Sequence, residues 1–315
     1  MKIAVSACLL GEKVRFDKGH KRDEFVMDEL SRYAEFVSFC PEHFAFGSPR
    51  PSIRVVRNDA KDLRIISNKT GEDLTEQLRA TSQDDLEKVK ASDVVGIIFK
   101  SKSPSCGMMS AKVYLENGFA DGKDDGMFAS MCRKEFPLLP MEEEGRLLDP
   151  WLRENFVMQV FAYDAFERFK VSATMKDLVL FHQNNKFMLQ SKDDILYRQL
   201  GKIVGNHEHK AFKDILAEYE LLFKTAIAKK SSVGKIRNVL EHMAGFVKKF
   251  LTSQEKEMLH EQIEDYAHKI IPVVVPLSTL KIYATKYDVE YLLGQTFLNP
   301  YPKELALRSD IKSVK

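Results

Sequence analysis

The stretch DVVGIIFK, residues 93–100, is an apolar run between two charged ends, and it leads directly into SKSPSCGMMS, residues 101–110. An apolar run of this length is typical of a strand that is covered on both faces, as in a parallel sheet. The proline and glycine that flank Cys106 predict a tight turn at the end of this strand. A cysteine on such a turn invites an explanation, because the chain of 315 residues contains only 4 cysteines.

The rest of the first half alternates between strand and helix patterns. KIAVSA (2–7) and EFVSFC (35–40) are short apolar runs that predict two more strands. Apolar residues at helical spacing predict the intervening helices, which span residues 23–34, 71–92 and 126–135. This alternation predicts an α/β N-terminal domain with a Rossmann-like parallel sheet. The Gly- and Asp-rich run at 116–126 predicts a surface loop.

Beyond about residue 150 the pattern becomes that of successive amphipathic helices. We therefore predict two domains, an α/β domain over 1–148 and an all-α helical domain over 149–315. Ser253 is predicted to begin one of these helices, because Ser is a common residue at helix starts and acidic and basic residues follow it.

Three cysteines each follow one of the predicted strands: Cys8, Cys40 and Cys106. The carboxyl ends of parallel strands meet at one edge of a sheet, so the three thiols are expected to converge there. Converging thiolates suit zinc, with His43 or His20 as a fourth ligand. They also suit an iron–sulfur cluster, in which three cysteines leave one iron open. Thiol catalysis and simple core packing remain as alternatives.

Polar residues beside these cysteines are candidates for catalysis. Glu42 follows Cys40 by two residues, and Ser103 and Ser105 come just before Cys106. A carboxylate near a metal can act as a general base or acid, and a hydroxyl can orient a substrate or relay a proton. A turn or capping role is the alternative for each of them. Arg50 and Arg54 are expected near the same edge, where they contact phosphate or pair with acids.

Composition and charge limit the class of protein. With 44% hydrophobic and 30% charged residues the chain is expected to be globular. No apolar run reaches the length of a membrane span, and the N-terminus has no long apolar signal core, so we expect a cytoplasmic protein without membrane contact. Few cysteines in a long chain do not indicate a disulfide scaffold.

The net charge differs between the two halves. Residues 1–150 carry 23 Lys and Arg against 26 Asp and Glu, and residues 151–315 carry 25 against 20, which gives net charges of −3 and +5. The segment 221–240 contains five basic residues and no acid. It is interpreted either as a solvated helix face or as a contact for RNA phosphates. The candidate RNA-contacting residues are Lys229, Lys230, Lys235 and Arg237.

Four motifs in the first half together resemble the thiouracil desulfidase (TudS) family over residues 1–145. They are SACLLGEKVRFD, FCPEHFAFGSPRPSIRV, TGEDLT and FKSKSPSCGM. The resemblance implies a [4Fe-4S] cluster with one open iron site, held by Cys8, Cys40 and Cys106. It also implies that the open iron takes sulfur from a thiocarbonyl base without net redox change. Glu42 and Ser103 match the family's Cys-Pro-Glu and Ser-Pro-Ser-Cys motifs.

The second half resembles the helical domain known from the YbgA proteins, over about residues 165–308. Fusions of these two domains resemble the RudS-type desulfidases, which act on 4-thiouridine in tRNA. The resemblance implies an enzyme that removes sulfur from a thiolated pyrimidine, with tRNA as a partner of the helical domain. The alternatives are a desulfidase for free thiouracil bases and a non-catalytic, cluster-containing RNA-binding sensor.

Overall fold

The computed structural model describes residues 1–310 and divides into two compact units, Met1–Leu148 and Asp149–Lys315. The first unit is α/β and the second is helical, which confirms the predicted fold class. The strands of the first unit are β1 (Lys2–Ser6), β2 (Glu35–Phe39), β3 (Ile53–Arg57), β4 (Leu63–Ser67), β5 (Ile97–Phe99), β6 (Ala111–Leu115), β7 (Ala120–Asp124) and β8 (Met141–Glu143). Its helices are α1 (Pro41–Phe46), α2 (Thr75–Ala91) and α3 (Met127–Glu135).

One sheet of the first unit is parallel throughout, with strand order β2-β1-β5-β8. It contains the three predicted strands, although β5 is shorter than the apolar run around it. Buried side chains from this sheet pack against α2 and α3, and Phe39, Phe99 and Phe128 form an aromatic cluster in that core. The parallel sheet therefore has its apolar strands enclosed, as their composition indicates.

A second sheet, with order β4-β3-β6-β7, is not among the sequence predictions. Its strands are antiparallel except for the β3–β6 pair. The prediction of a surface loop over 116–126 is wrong in part, because β7 lies inside it. The residues of β7 are mostly exposed and poor in strand formers, and the strand is held by backbone pairing to β6. Local sequence carries little signal for a strand of this kind.

The predicted helix over 23–34 is also not a regular α-helix. A π-type turn over Phe25–Glu29 continues into a 3₁₀ turn over Leu30–Arg32. The apolar residues Phe25 and Leu30 are buried, as helical spacing requires. The spacing of apolar residues therefore predicted the buried face of this segment, but it did not predict the π-type turn of the backbone.

The second unit is built from amphipathic helices. They are α4 (Pro150–Lys170), α5 (Met175–Asn184), α6 (Lys186–Lys192), α7 (Asp194–Gly205), α8 (Phe212–Ile227), α9 (Val233–Val247), α10 (Ser253–Ala267), α11 (Val274–Lys286) and α12 (Glu290–Leu293). Ser253 is indeed the first residue of α10, but the side chain that caps it is that of Thr252, which forms a reciprocal capping box with Glu255. Within residues 1–310, no helix combines the length and the apolar character needed to cross a membrane.

Candidate active site

Three cysteines meet in one cavity at the carboxyl edge of the parallel sheet. Ser6 at the end of β1 pairs in register with Phe39 at the end of β2, so these strands end level with each other. Cys8 and Cys40 follow these ends by two residues and one residue, and Cys106 lies on the turn after β5. All three cysteines line a cavity of about 340 Å³. The convergence expected from their positions after the strands is present in the fold.

The thiols lie in a poorly solvated environment. Cys8 is 7% exposed and Cys106 is 5% exposed. Burial raises the pKa of Cys8 to about 11 and that of Cys40 to about 12, and it raises the pKa of Cys106 well above its ordinary value. In the metal-free chain these thiols are therefore protonated at neutral pH, which makes them weak nucleophiles. This disfavours thiol catalysis, whereas a bound metal would displace the protons and stabilise the thiolates.

The described residues include one close group of three potential metal ligands, which lies outside the thiol cavity. Tetrahedral zinc with Zn–S bonds of about 2.3 Å holds its sulfur ligands about 3.8 Å apart. Over residues 1–310, the ligating side chains that come in threes within 4.8 Å of one another are Glu241, His260 and Glu264 of the second unit, and not the three thiols. The three thiols share a cavity, and in the metal-free chain they do not form so close a group.

The two histidines that were considered as a fourth zinc ligand, His43 and His20, form other contacts. The Nδ1 atom of His43 lies 3.2 Å from the hydroxyl of Ser48. The Nδ1 atom of His20 accepts the backbone N–H of Arg22 at 3.2 Å. Neither histidine is among the side chains that line the thiol cavity. The sulfur donors of this cavity are therefore three cysteines and no histidine joins them, which suits an iron–sulfur cluster with one iron left open.

Glu42 lies in the same cavity and is held from both sides. Its Oε1 atom accepts the hydroxyls of Ser103 at 2.8 Å and Ser105 at 2.7 Å, and its Oε2 atom accepts Nη2 of Arg50 at 2.8 Å. The side chains of Arg50 and Glu42 are 3% and 14% exposed, so this charged pair is largely shielded from water. The structure thus brings together the three predicted catalytic residues and adds Arg50, for which pairing with an acid was one of the two sequence interpretations.

The two serines also build the turn that carries Cys106. The hydroxyl of Ser103 accepts the backbone N–H groups of Ser105 and Cys106, both at 3.2 Å. The hydroxyl of Ser105 lies 3.3 Å from the sulfur of Cys106. The turn role that the sequence analysis kept as the alternative is present, and both side chains also contact Glu42. The turn therefore couples the position of the thiol to that of the carboxylate.

Several basic and aromatic residues that line the cavity were not among the site residues of the sequence analysis. They are Arg15, Phe16, Lys21, Lys100 and Lys102. The guanidinium of Arg15 lies 5.4 Å from the centre of the Phe16 ring, and Lys100 is paired with Glu144. Lys100 could have been predicted from the sequence, because it ends the apolar run of residues 93–100. Ligands bind at this carboxyl edge of a parallel sheet.

The four predicted RNA-contacting residues lie in the second unit, in the segment that leads from α8 into α9: Lys229, Lys230, Lys235 and Arg237. Lys235 donates to a backbone carbonyl at the end of α6, and Arg237 forms an ion pair with Glu264. The Nζ atom of Lys230 lies 5.5 Å from the centre of the Trp151 ring. Lys229 is exposed. These residues share one segment, but Lys230, Lys235 and Arg237 already have partners within the protein.

Comparison with solved structures and curated proteins identifies similar chains. A solved chain titled [4Fe-4S]-dependent thiouracil desulfidase TudS is 28% identical, with a TM-score of 0.37; the match covers 46% of this chain and 92% of that one. YbbK of Bacillus subtilis (strain 168) is 31% identical over 126 residues, which cover 38% of this chain and 80% of YbbK. YbgA of Escherichia coli (strain K12) is 24% identical over 157 residues, which cover 49% of this chain and 93% of YbgA.

Family models match each half of the chain. The model described as 2-thiouracil desulfurase matches residues 3–144, which contain every residue of the thiol cavity. The model described as a protein of unknown function, DUF1722, matches residues 186–302. Through its first unit the chain belongs to the 2-thiouracil desulfurase family, and its second unit carries a DUF1722 domain.

Proposed function

We propose that this protein removes sulfur from a thiolated pyrimidine by hydrolysis, with a [4Fe-4S] cluster held by Cys8, Cys40 and Cys106. The observation that carries the proposal is the shared cavity, in which three buried thiols lie beside a carboxylate held by two hydroxyls and an arginine. Membership in the 2-thiouracil desulfurase family supports the reaction class.

The overall reaction consumes water and releases sulfide, while the carbon–sulfur double bond of the base becomes a carbon–oxygen double bond. No electrons are gained or lost in the sum. When bound, the cluster supplies an open iron, a Lewis acid that polarises the carbon–sulfur bond of the substrate. The protein side chains then have to position the base, activate the water and move protons.

Glu42 is the proposed general base, because it is the carboxylate that lies in the cavity with the thiols. It takes a proton from the attacking water, or transfers a proton to the ring nitrogen of the base. Arg50 and the two serine hydroxyls fix the direction of the carboxylate. Ser103 and Ser105 are proposed to orient the base and relay protons. This pre-organisation replaces the solvent reorganisation that the reaction would require in water.

The proposed substrate is 4-thiouridine in tRNA. To reach a buried cavity the thio base would leave its stack, as it does in other enzymes that act on a nucleobase. The net charge of +5 in residues 151–315 supports contact of the second unit with the phosphate backbone. Among the four predicted residues the exposed Lys229 is the strongest candidate for this contact, since Lys230 lies against Trp151 and Lys235 and Arg237 are engaged within the protein.

The cluster is tested by anaerobic purification, an absorbance spectrum, and iron and sulfide analysis. We expect about four irons per chain in the wild type and loss of iron and chromophore in Cys106→Ser. Cys132→Ala is the matched control, because Cys132 is buried in the core and does not line the cavity. A wild type that holds one zinc, or that stays without metal after anaerobic reconstitution, contradicts the proposal.

The substrate is tested by sulfide release from tRNA that contains 4-thiouridine and from free 2-thiouracil. Activity on the tRNA supports the proposed substrate. Activity on the free base alone would assign the protein to small substrates. RNA binding that responds to loss of the cluster without any sulfide release would indicate a sensor and would overturn the enzymatic proposal.

A further inference from the structure

A second cavity, of about 400 Å³, lies next to the thiol cavity in the first unit. The two cavities share three lining residues, which are Ile53, Lys102 and Pro104. They are therefore neighbouring parts of one surface depression. A ligand larger than a single base would extend from the first cavity into the second.

Strand alternation accounts for the polar character of this second cavity. In β3 the buried Ile53 and Val55 flank Arg54, and in β6 the buried Ala111 and Val113 flank Lys112. Because successive side chains of a strand point to opposite faces, the two cations lie on the outer face of the second sheet. The two strands are hydrogen-bonded neighbours, so these cations line the same cavity.

Within residues 1–310 the cations of this cavity have no acidic partners, in contrast to cations nearby. Arg57 in β3 pairs with two aspartates, and Arg64 in β4 pairs with Asp73. The three cations that line the cavity are Arg54, Lys102 and Lys112. No described acid forms an ion pair with any of them, and no described acid is part of the cavity lining. Three unpaired positive charges converge there within a half of the chain whose net charge is negative.

Arg54 also has unused hydrogen-bonding capacity. Its Nη1 atom donates to the side-chain oxygen of Asn68 at 3.2 Å, but its Nε atom is buried and has no hydrogen-bond partner. A buried donor without a partner is costly unless a ligand or water satisfies it. A guanidinium beside two unpaired ammonium groups is suited to a phosphate, since both kinds of group form short, charge-assisted hydrogen bonds with phosphate oxygens.

We propose that this groove, lined by Arg54, Lys102 and Lys112, binds a phosphate of the nucleotide chain that carries the thio base. This inference rests on the proposed function and deepens it, since the thiol cavity would take the base and the groove its phosphate. The chemistry suits both a phosphate on the thionucleotide itself and a phosphodiester of a flanking nucleotide. A free base has no group to fill the groove.

The first test measures binding of an unthiolated, fluorescently labelled single-stranded RNA to the full chain as a function of salt. The double variant R54Q/K112Q removes two phosphate contacts and should lower the slope of log K against log salt by about 1.4. Binding should then be about 25-fold weaker at 0.1 M salt and converge with the wild type near 1 M. The double variant K61Q/K134Q, which removes two exposed lysines that do not line either cavity, should bind as the wild type does.

The second test measures kcat/KM of the cluster-loaded enzyme for three substrates. R54Q/K112Q should leave the value for free 2-thiouracil unchanged and lower it for a thiolated oligonucleotide. If R54Q/K112Q lowers kcat/KM equally for 4-thiouridine 5′-monophosphate, the groove binds the phosphate of the thionucleotide itself. If kcat/KM for this monophosphate is unchanged, the groove binds a flanking phosphodiester. Unaltered RNA binding, or an equal loss with the free base, overturns the inference. If the wild type releases no sulfide but its RNA binding depends on these residues, the proposed function fails and the phosphate site stands.

Discussion

At the scale of single residues, Glu42 shows how the fold surrounds a side chain that a local motif singled out. Its position two residues after Cys40 indicated proximity to a metal site, and the fold supplies the groups that hold it. Its ion pair with Arg50 joins residues only eight apart in sequence, but the serines come from a turn about sixty residues later. The sequence therefore predicted the carboxylate that lies in the thiol cavity, and the network around it depends on the tertiary fold.

Glu42→Gln should lower kcat by about 10²–10⁴-fold while the iron content stays at the wild-type level, because a neutral amide still accepts the serine hydroxyls but cannot take a proton. The measurement pairs turnover with iron analysis and a melting temperature. Glu12→Gln, which alters an exposed carboxylate, is the control and should be fully active. If activity falls only in proportion to lost iron or lost fold, Glu42 has a structural role instead.

At the scale of elements, the Cys106 turn depends on its contact with α3. The backbone N–H groups of Gly126 and Met127 donate to the carbonyls of Gly107 at 2.7 Å and Pro104 at 3.0 Å. A Cβ atom at position 126 would lie 2.6 Å from the backbone carbon of Ser105, which is closer than side chains tolerate. The start of α3 thus packs directly against the turn, and only glycine leaves room for it.

Gly126→Ala should displace the turn and reduce both iron content and activity, since the thiol and the two serines move together. Iron analysis after anaerobic reconstitution and a sulfide-release assay check this. Gly245→Ala is the control, because a Cβ there meets open space within α9 and alanine favours a helix by about 1 kcal/mol. Full iron occupancy in Gly126→Ala would show that the turn tolerates the displacement.

At the scale of the whole molecule, the second unit contains a buried cation that makes stability depend on pH. Lys192 is fully buried, and its amine donates to the side-chain oxygen of Asn155 at 2.6 Å. Burial lowers the pKa of Lys192 to about 7 from an ordinary value of 10.5. Between these two values the unfolded chain binds more protons at this site than the folded one, so this site makes the free energy of unfolding rise with pH.

Lys192→Met should remove that part of the pH dependence. Methionine is similar in length to lysine. In the variant the side-chain oxygen of Asn155 still accepts a hydrogen bond from the backbone N–H of Ser231, at 3.0 Å in the wild type. Denaturant unfolding of the full chain at pH 7, 8 and 9 gives the test. The stability of the wild type relative to the variant should increase across this range, and parallel curves would show that the amine does not titrate there.

Four features follow from the order of residues alone: the parallel strands, the three cysteines just after them, the helical second half and the family motifs. These are local patterns, because burial periodicity and turn residues are set by neighbours along the chain. The second sheet, the ion pair between Glu42 and Arg50, the shared cavity of the thiols and the unpaired cations around Arg54 arise only in the folded chain. Each of these depends on which distant segments pack together and on which charges burial leaves without a partner, and neither can be read from residues in order along the chain.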